Sequence, residues 1–177
     1  MNGHKRIITI RMIAVMIGAT VLALNGACFA ADFNVTSRGV AIKRYDPVAC
    51  FEKGTAMRGY RALSYEWNGA QWYFSSRDNK ALFMENPEKY VPQYGGYCAW
   101  SMSEGNKGIV NPEEWRIVDE KLYLFFTKGI KRKWEEDISG HIARADEKWA
   151  QFQGKTLKPK AKQKKENGAK KKKKKKK

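Results

Sequence analysis

The sequence predicts a small α+β domain in which short antiparallel β-hairpins pack against several helices. Apolar and polar residues alternate on both sides of Asn68-Gly69, with Leu63, Tyr65 and Trp67 before it and Trp72 and Phe74 after it. Asn-Gly favours positive φ at both central positions, as a tight type I′ hairpin requires. A second alternation brackets Asp119-Glu120, with Trp115, Ile117 and Val118 on one side and Leu122, Leu124 and Phe126 on the other. Helical spacing closes the chain, since Ile142, Ala145, Trp149 and Phe152 fall on one face of an amphipathic helix. Helices mixed with local hairpins in this way define the α+β class.

The chain divides into a leader (1–30), an N-terminal arm (31–44), one domain (45–153) and a lysine-rich tail (154–177). In the leader, Lys5, Arg6 and Arg11 accompany an apolar run over residues 12–24, and small residues follow at Gly26, Ala27, Ala30 and Ala31. This is the anatomy of a secretory signal peptide cleaved after Ala30, so the expected location is periplasmic or secreted. The run is short for a span of about 20 residues, and no transmembrane segment is expected after cleavage. An uncleaved anchor and lipidation at Cys28 are the competing readings.

The net charge is +17. The tail contributes +13, from fourteen lysines against Glu166, and the leader +3, which leaves +1 for residues 31–153. Basicity is therefore a property of the tail, and specific nucleic-acid recognition is not expected of the domain. A run such as Lys170 to Lys177 cannot bury apolar surface and repels itself. It suits attachment to anionic surfaces, lipid or polysaccharide, by counterion release, or it is a solubilising extension without a partner.

Within the domain, no linker and no internal repeat is visible. Residues 32–44 read as an extended arm that lays Val35, Val40 and Ile42 on the core. Asp46 caps a short helix begun by Pro47, because proline fixes φ at the first helical position and its missing N–H is not needed there. After the first hairpin, Ser75 or Ser76 caps a helix to about Glu85, with Ala81, Leu82 and Met84 inward and Phe83 able to join them. Asn86-Pro87 stops that helix, and Pro87 through Tyr90 starts another turn. Residues 91–94 read as extended, and Gly95-Gly96 permits positive φ or close backbone approach before Cys98. Residues 111–114 read as a turn or one helical turn. Thr127 caps a helix to about Asp137 that buries Ile130 and Trp134. Ser139-Gly140 reads as a break before a last helix from His141, a residue expected at the surface.

The chemistry-bearing candidates are few. No Ser-His-Asp ordering, phosphate-binding glycine loop or zinc signature appears, and there is no Cys-x-x-Cys. Cys50 and Cys98 are the thiols that remain after cleavage. In an oxidising compartment they could pair. A thiolate is favoured in the first turn of a helix, and a helix starting near Tyr97 would place Cys98 there. The competing reading is a buried, inert cysteine. Copper or zinc at Cys98 and Cys50 is the metal alternative, with His141 the remaining ligand type. A closed soft-metal site normally takes three or four such ligands.

Residues 72–90, an aromatic strand, a short helix ending in Phe and then Pro87-Glu88-Lys89-Tyr90, resemble the YHS domain, and Asp46-Pro47-Val48 resembles its opening. Tyr94-Gly95-Gly96-Tyr97-Cys98-Ala99 and the tryptophan-rich second half are similar to an exported branch, the YHS domain-containing (seleno)proteins. The resemblance covers about residues 45–152. It implies selenium chemistry in some relatives, at the position of Cys98, and hence a redox step there. Many YHS domains resemble the metal-binding TRASH type, with cysteines after the opening and twice around the aromatic strand. Those places hold Ala49, Ser75 and Asn79 here, and Cys50 is one residue from the first. The resulting expectation is a non-enzymatic binding module with redox or soft-metal chemistry at Cys98. The alternatives are a thiol-dependent oxidoreductase using Cys98 and an envelope-attachment module acting through the tail.

Overall fold

The computed structural model describes residues 32–154. The leader, Cys28 and the lysine tail beyond Gly154 lie outside them. Helices and three two-stranded antiparallel sheets alternate over one shared core among the described residues, so the α+β class holds. No helix of these residues is long and apolar enough to cross a membrane.

The arm is bolted to the first hairpin. Val40 and Gln71 form a parallel bridge, Ala41 N–H donates to the Gln71 carbonyl (2.9 Å) and Gln71 N–H donates to the Gly39 carbonyl (2.9 Å). Val40 and Ile42 are buried, whereas Val35 is exposed where it pairs with Ala41 across the turn. Next come β1 (Tyr45–Asp46), α1 (Pro47–Glu52) and β2 (Met57–Arg58), the two short strands pairing across the helix. The hairpin β3 (Tyr60–Trp67) and β4 (Ala70–Phe74) turns at Asn68 and Gly69, with φ 50° and 81°. These values fit the type I′ expectation. Ser76 caps α2 (Arg77–Glu85), and Asn86 caps α3 (Pro87–Tyr90).

The second half follows the same logic with several departures from expectation. Residues 93–96 form a tight turn rather than extended chain, because Tyr94, Gly95 and Gly96 all take positive φ. At Gly95 a side chain would collide with the Asp32 carbonyl, which explains the need for glycine. Then come α4 (Ala99–Ser103), β5 (Asn111–Val118) and β6 (Lys121–Phe125). Residues 111–114 are thus strand and not turn. Pro112 is tolerated because it lies in the register shift between Asn111 and Trp115, where the ladder is interrupted. On β6, Leu122 through Phe125 are all buried and Phe126 is exposed. Both faces of that strand are covered, so simple alternation fails.

Thr127 caps α5 (Lys128–Glu135), which buries Trp134. Ser139-Gly140 does not break the chain. It belongs to the first turn of α6 (Ile138–Phe152), capped by Asp137, whose Oδ1 accepts from Gly140 N–H at 3.0 Å. A Cβ at residue 140 would strike that carboxylate, so glycine serves the cap. On α2 the buried pair is Asn79 and Phe83, four residues apart, while Ala81 and Met84 face solvent. On α6, Ala145 is buried, Ile142 and Trp149 are half-buried, and Phe152 is exposed.

The structure contains an internal repeat. Residues 42–44 (φ 38°, 52° and 73°) and 94–96 (φ 56°, 62° and 80°) make the same turn. Asp46 and Cys98 then stand at the N-caps of α1 and α4. Hairpins β3–β4 and β5–β6 have equal strand lengths and the same register shift, Tyr60↔Phe74 then Ser64↔Tyr73 against Asn111↔Phe125 then Trp115↔Leu124. The N-caps Ser76 and Asn86 answer to Thr127 and Asp137, at a constant spacing of 51 residues. Phe83 lies 5.0 Å from Phe74 and 5.3 Å from Trp72, and Trp134 lies 5.0 Å from Phe125 and 5.2 Å from Tyr123. Residues 42–90 and 94–141 are two copies of one unit. Between Tyr60 and Tyr90 the identical pairs are Phe74/Phe125, Lys80/Lys131 and Glu85/Glu136, which is why the sequence conceals the relation.

Candidate functional site

The first unit is organised around one buried carboxyl group. Asp46 is 1% exposed and its two oxygens accept five hydrogen bonds. Oδ1 takes the backbone N–H groups of Val48 (2.9 Å) and Ala49 (3.3 Å), the helix-capping geometry that the Asp-Pro pair predicts. Oδ2 takes Ser75 N–H (2.8 Å), Ser75 Oγ–H (2.7 Å) and the Asn79 side-chain amide (2.7 Å). Ala49, Ser75 and Asn79, the places at which cysteines are expected by resemblance, therefore do converge. Where they meet, hydrogen bonding to Asp46 stands in place of thiolates. The Asp46 cap was legible from sequence, but its long-range partners Ser75 and Asn79, 29 and 33 residues away, were not.

Cys50 sits in α1 beside this hub and is nearly fully buried. Burial pushes its thiol from 9.0 up to about 12, and the charge of Asp46 adds to the effect. Such a thiol stays protonated at neutral pH, whereas both metal ligation and nucleophilic attack need the thiolate. Cys98 lies in the other unit, and both cysteines are free. Cys98 is 0% exposed and stands at the N-cap position of α4 without a side-chain capping bond, so it lies just outside the helix's first turn and not within it as expected. Its backbone is held by a parallel bridge to Leu124 and by donation from its N–H to the Gly108 carbonyl (3.0 Å). The loop at Gly108 closes over it, since a Cβ there would come within 3.3 Å of Cys98 Cβ and would clash with Ser101.

His141 is buried rather than solvated. Its Nδ1 lies 2.9 Å from Ser103 Oγ and 2.8 Å from an Arg144 guanidinium nitrogen, and its ring packs 4.5 Å from Trp100. Arg144 donates there, which leaves Nδ1 as acceptor and favours the neutral ring. Burial and the Arg144 charge lower the His141 pKa from 6.5. The unfolded chain therefore takes up the proton first. This contribution to stability is complete above about pH 6.5 and is lost as pH falls through the lower, folded-state value. The urea midpoint is expected to drop between about pH 7 and about pH 5, and less steeply in His141→Gln, so parallel profiles for the two proteins would contradict the assignment.

Among the described residues, no three His, Cys, Asp or Glu side chains form a group able to hold a metal ion. The donors present do not fit a closed copper or zinc site. Asp46 is saturated by protein hydrogen bonds, Cys50 is held protonated, and Cys98 and His141 are committed to packing in the second unit. Of the remaining motif residues, Asn68-Gly69, Pro87-Tyr90 and Gly95-Gly96 shape turns and caps. The Tyr90 hydroxyl also reaches Glu52 at 3.3 Å.

Fold and site together define a small aromatic-cored α+β domain whose polar hub is structural. Residues 52–94 match the family model of the YHS domain, which places a YHS domain over most of the first unit and stops at Tyr94. No curated protein and no solved structure matches the chain.

Proposed function

We propose that this protein is an exported, non-catalytic YHS-type binding module, of the branch that resembles the (seleno)proteins, held at anionic surfaces by its lysine tail. The observation that carries the reading is the treatment of the thiols. One is raised to about 12 and the other is 0% exposed, while the hub that could have been a metal site is filled by Asp46, Ser75 and Asn79. These are the features of a scaffold that presents a surface. Export is inferred from the leader, and attachment from the charge of residues 155–177, which far exceeds that of the domain.

The test is salt-dependent attachment. The mature protein is expected to bind vesicles or polysaccharide of net negative charge, with a loss on the order of 100-fold from low to high salt. A chain ending at Gln153 is expected to lose most of this binding. Equal attachment with and without the tail would overturn the proposal, as would recovery of the uncleaved protein from the cytoplasmic fraction.

A further inference from the structure

A groove that neither cysteine lines lies on the folded domain. The arm and the first hairpin enclose an open groove of about 980 Å³, to which Arg38, Arg44, Arg61, Ser64, Gln71 and Tyr73 contribute. No carboxylate lines it. Among the described residues, none of the three arginines takes part in a salt bridge, and Glu66, on the same hairpin, is engaged by the Gln71 amide at 3.1 Å. Three guanidinium groups of like charge around one concavity repel one another. An anion placed between them relieves that cost.

The chain builds this arrangement deliberately. Arg38 lies in the turn closed by Gly39 N–H donating to the Thr36 carbonyl (2.9 Å), and that turn is anchored to β4 by the Gln71 bonds. Arg44 takes φ 73°, in the left-handed region that disfavours a side chain of its size, and its guanidinium stands 5.8 Å over the Tyr73 ring. Arg61 belongs to the register shift between Tyr60 and Ser64, and bulges of this kind re-aim side chains. The second unit supplies an internal comparison. Where the first has Arg44, Arg61 and Tyr73, the second has Gly96, Pro112 and Leu124, all buried. The same frame is thus closed and apolar in one copy, and open and cationic in the other.

We propose that this groove binds a phosphate-bearing ligand. Guanidinium forks pair with phosphate oxygens through two parallel, charge-assisted hydrogen bonds, and the Ser64 and Tyr73 hydroxyls add neutral donors to the same oxygens. The ligand is a compact, multiply charged phosphate, whether free in solution or displayed as a lipid headgroup. The tail has no part in the recognition, so this surface stands or falls separately from tail-dependent attachment.

The experiment titrates pyrophosphate into the full-length mature protein by calorimetry while following the Tyr73 ring resonances. Arg38→Gln and Arg61→Gln, both at exposed positions, are each expected to weaken binding about tenfold and to reduce the Tyr73 shift. Vesicles of phosphatidylcholine with and without phosphatidic acid form the second arm, run with the chain ending at Gln153, which keeps the whole last helix and removes the lysines that would themselves bind the anionic lipid. If the arginine variants also lose the phosphatidic acid dependence, the source is a headgroup; if they lose pyrophosphate alone, it is a soluble phosphate. Pyrophosphate binding that is unchanged in both variants, or that leaves Tyr73 unperturbed, overturns the proposal.

Discussion

Replacing Asp46 by Ala is expected to destabilise the domain by about 4 kcal/mol, measured by urea denaturation, and to lower its melting temperature by on the order of 15 °C. The substitution removes one small side chain but takes the Asp46 acceptor from five donors. The Val48, Ala49 and Ser75 N–H groups and the Ser75 hydroxyl lose it in a place where Asp46 itself is 1% exposed, and the Asn79 amide keeps only the Ser75 hydroxyl oxygen, at 3.3 Å. Leaving buried donors unpaired costs more than the net gain of the bonds they made. Asp46→Asn is expected to recover only part of the loss, because its amide nitrogen must face either the capped N–H groups or the donors of Ser75 and Asn79. A loss below about 1 kcal/mol for Asp46→Ala would mean that water replaces the carboxyl group and that the hub is not what holds α1 to α2.

The largest expected kinetic effect is at Cys98. Its reaction with a small thiol probe in the folded, reduced protein at neutral pH is expected to be at least about 1000-fold slower than that of a free cysteine. A fully buried group reacts only through opening, and core openings approach the free energy of global unfolding. Site-resolved mass spectrometry separates Cys98 from Cys50, and the denatured protein supplies the reference rate. Rapid labelling of Cys98 would restore the thiol-dependent oxidoreductase and remove the reading of the domain as a passive scaffold.

Local features of the fold were legible because they depend on a few adjacent residues. Asn68-Gly69 dictated its turn, Asp46-Pro47 its helix start, and Thr127 and Asn86-Pro87 their caps. What stayed hidden depends on residues distant in the chain. Asn79 reads as a surface helix residue until Asp46 is known to face it, and His141 until Ser103 and Arg144 are in place. Gly140 reads as a breaker when counted by composition, yet its lack of a side chain is what lets Asp137 cap α6. The candidate site followed the same rule. The residues pointed to Cys98, and the resemblance to YHS domains to Ala49, Ser75 and Asn79, but neither could say that the first would be sealed and the others gathered around a carboxyl group. Arg38, Arg44 and Arg61 are scattered over an arm, a turn and a bulge, and only the folded chain gathers them.

The doubling of one frame within a single chain creates a hazard during folding. The helix that follows each hairpin, α2 or α5, has nearly the same length and the same kind of cap, so each hairpin meets two similar candidates. The two N-caps argue against such an exchange by opposite means. Asp46 Oδ2 takes the side-chain donors of Ser75 and Asn79, and the second unit offers Phe126 and Ile130 at the matching positions, where that oxygen would lose both. Cys98 demands no polar partner, and against the first unit it would leave Ser75 and Asn79 unanswered. One polar and one apolar residue at equivalent places thus act as a lock and its mismatched key, so that each half recognises its own helices and the assembled domain has a single solution.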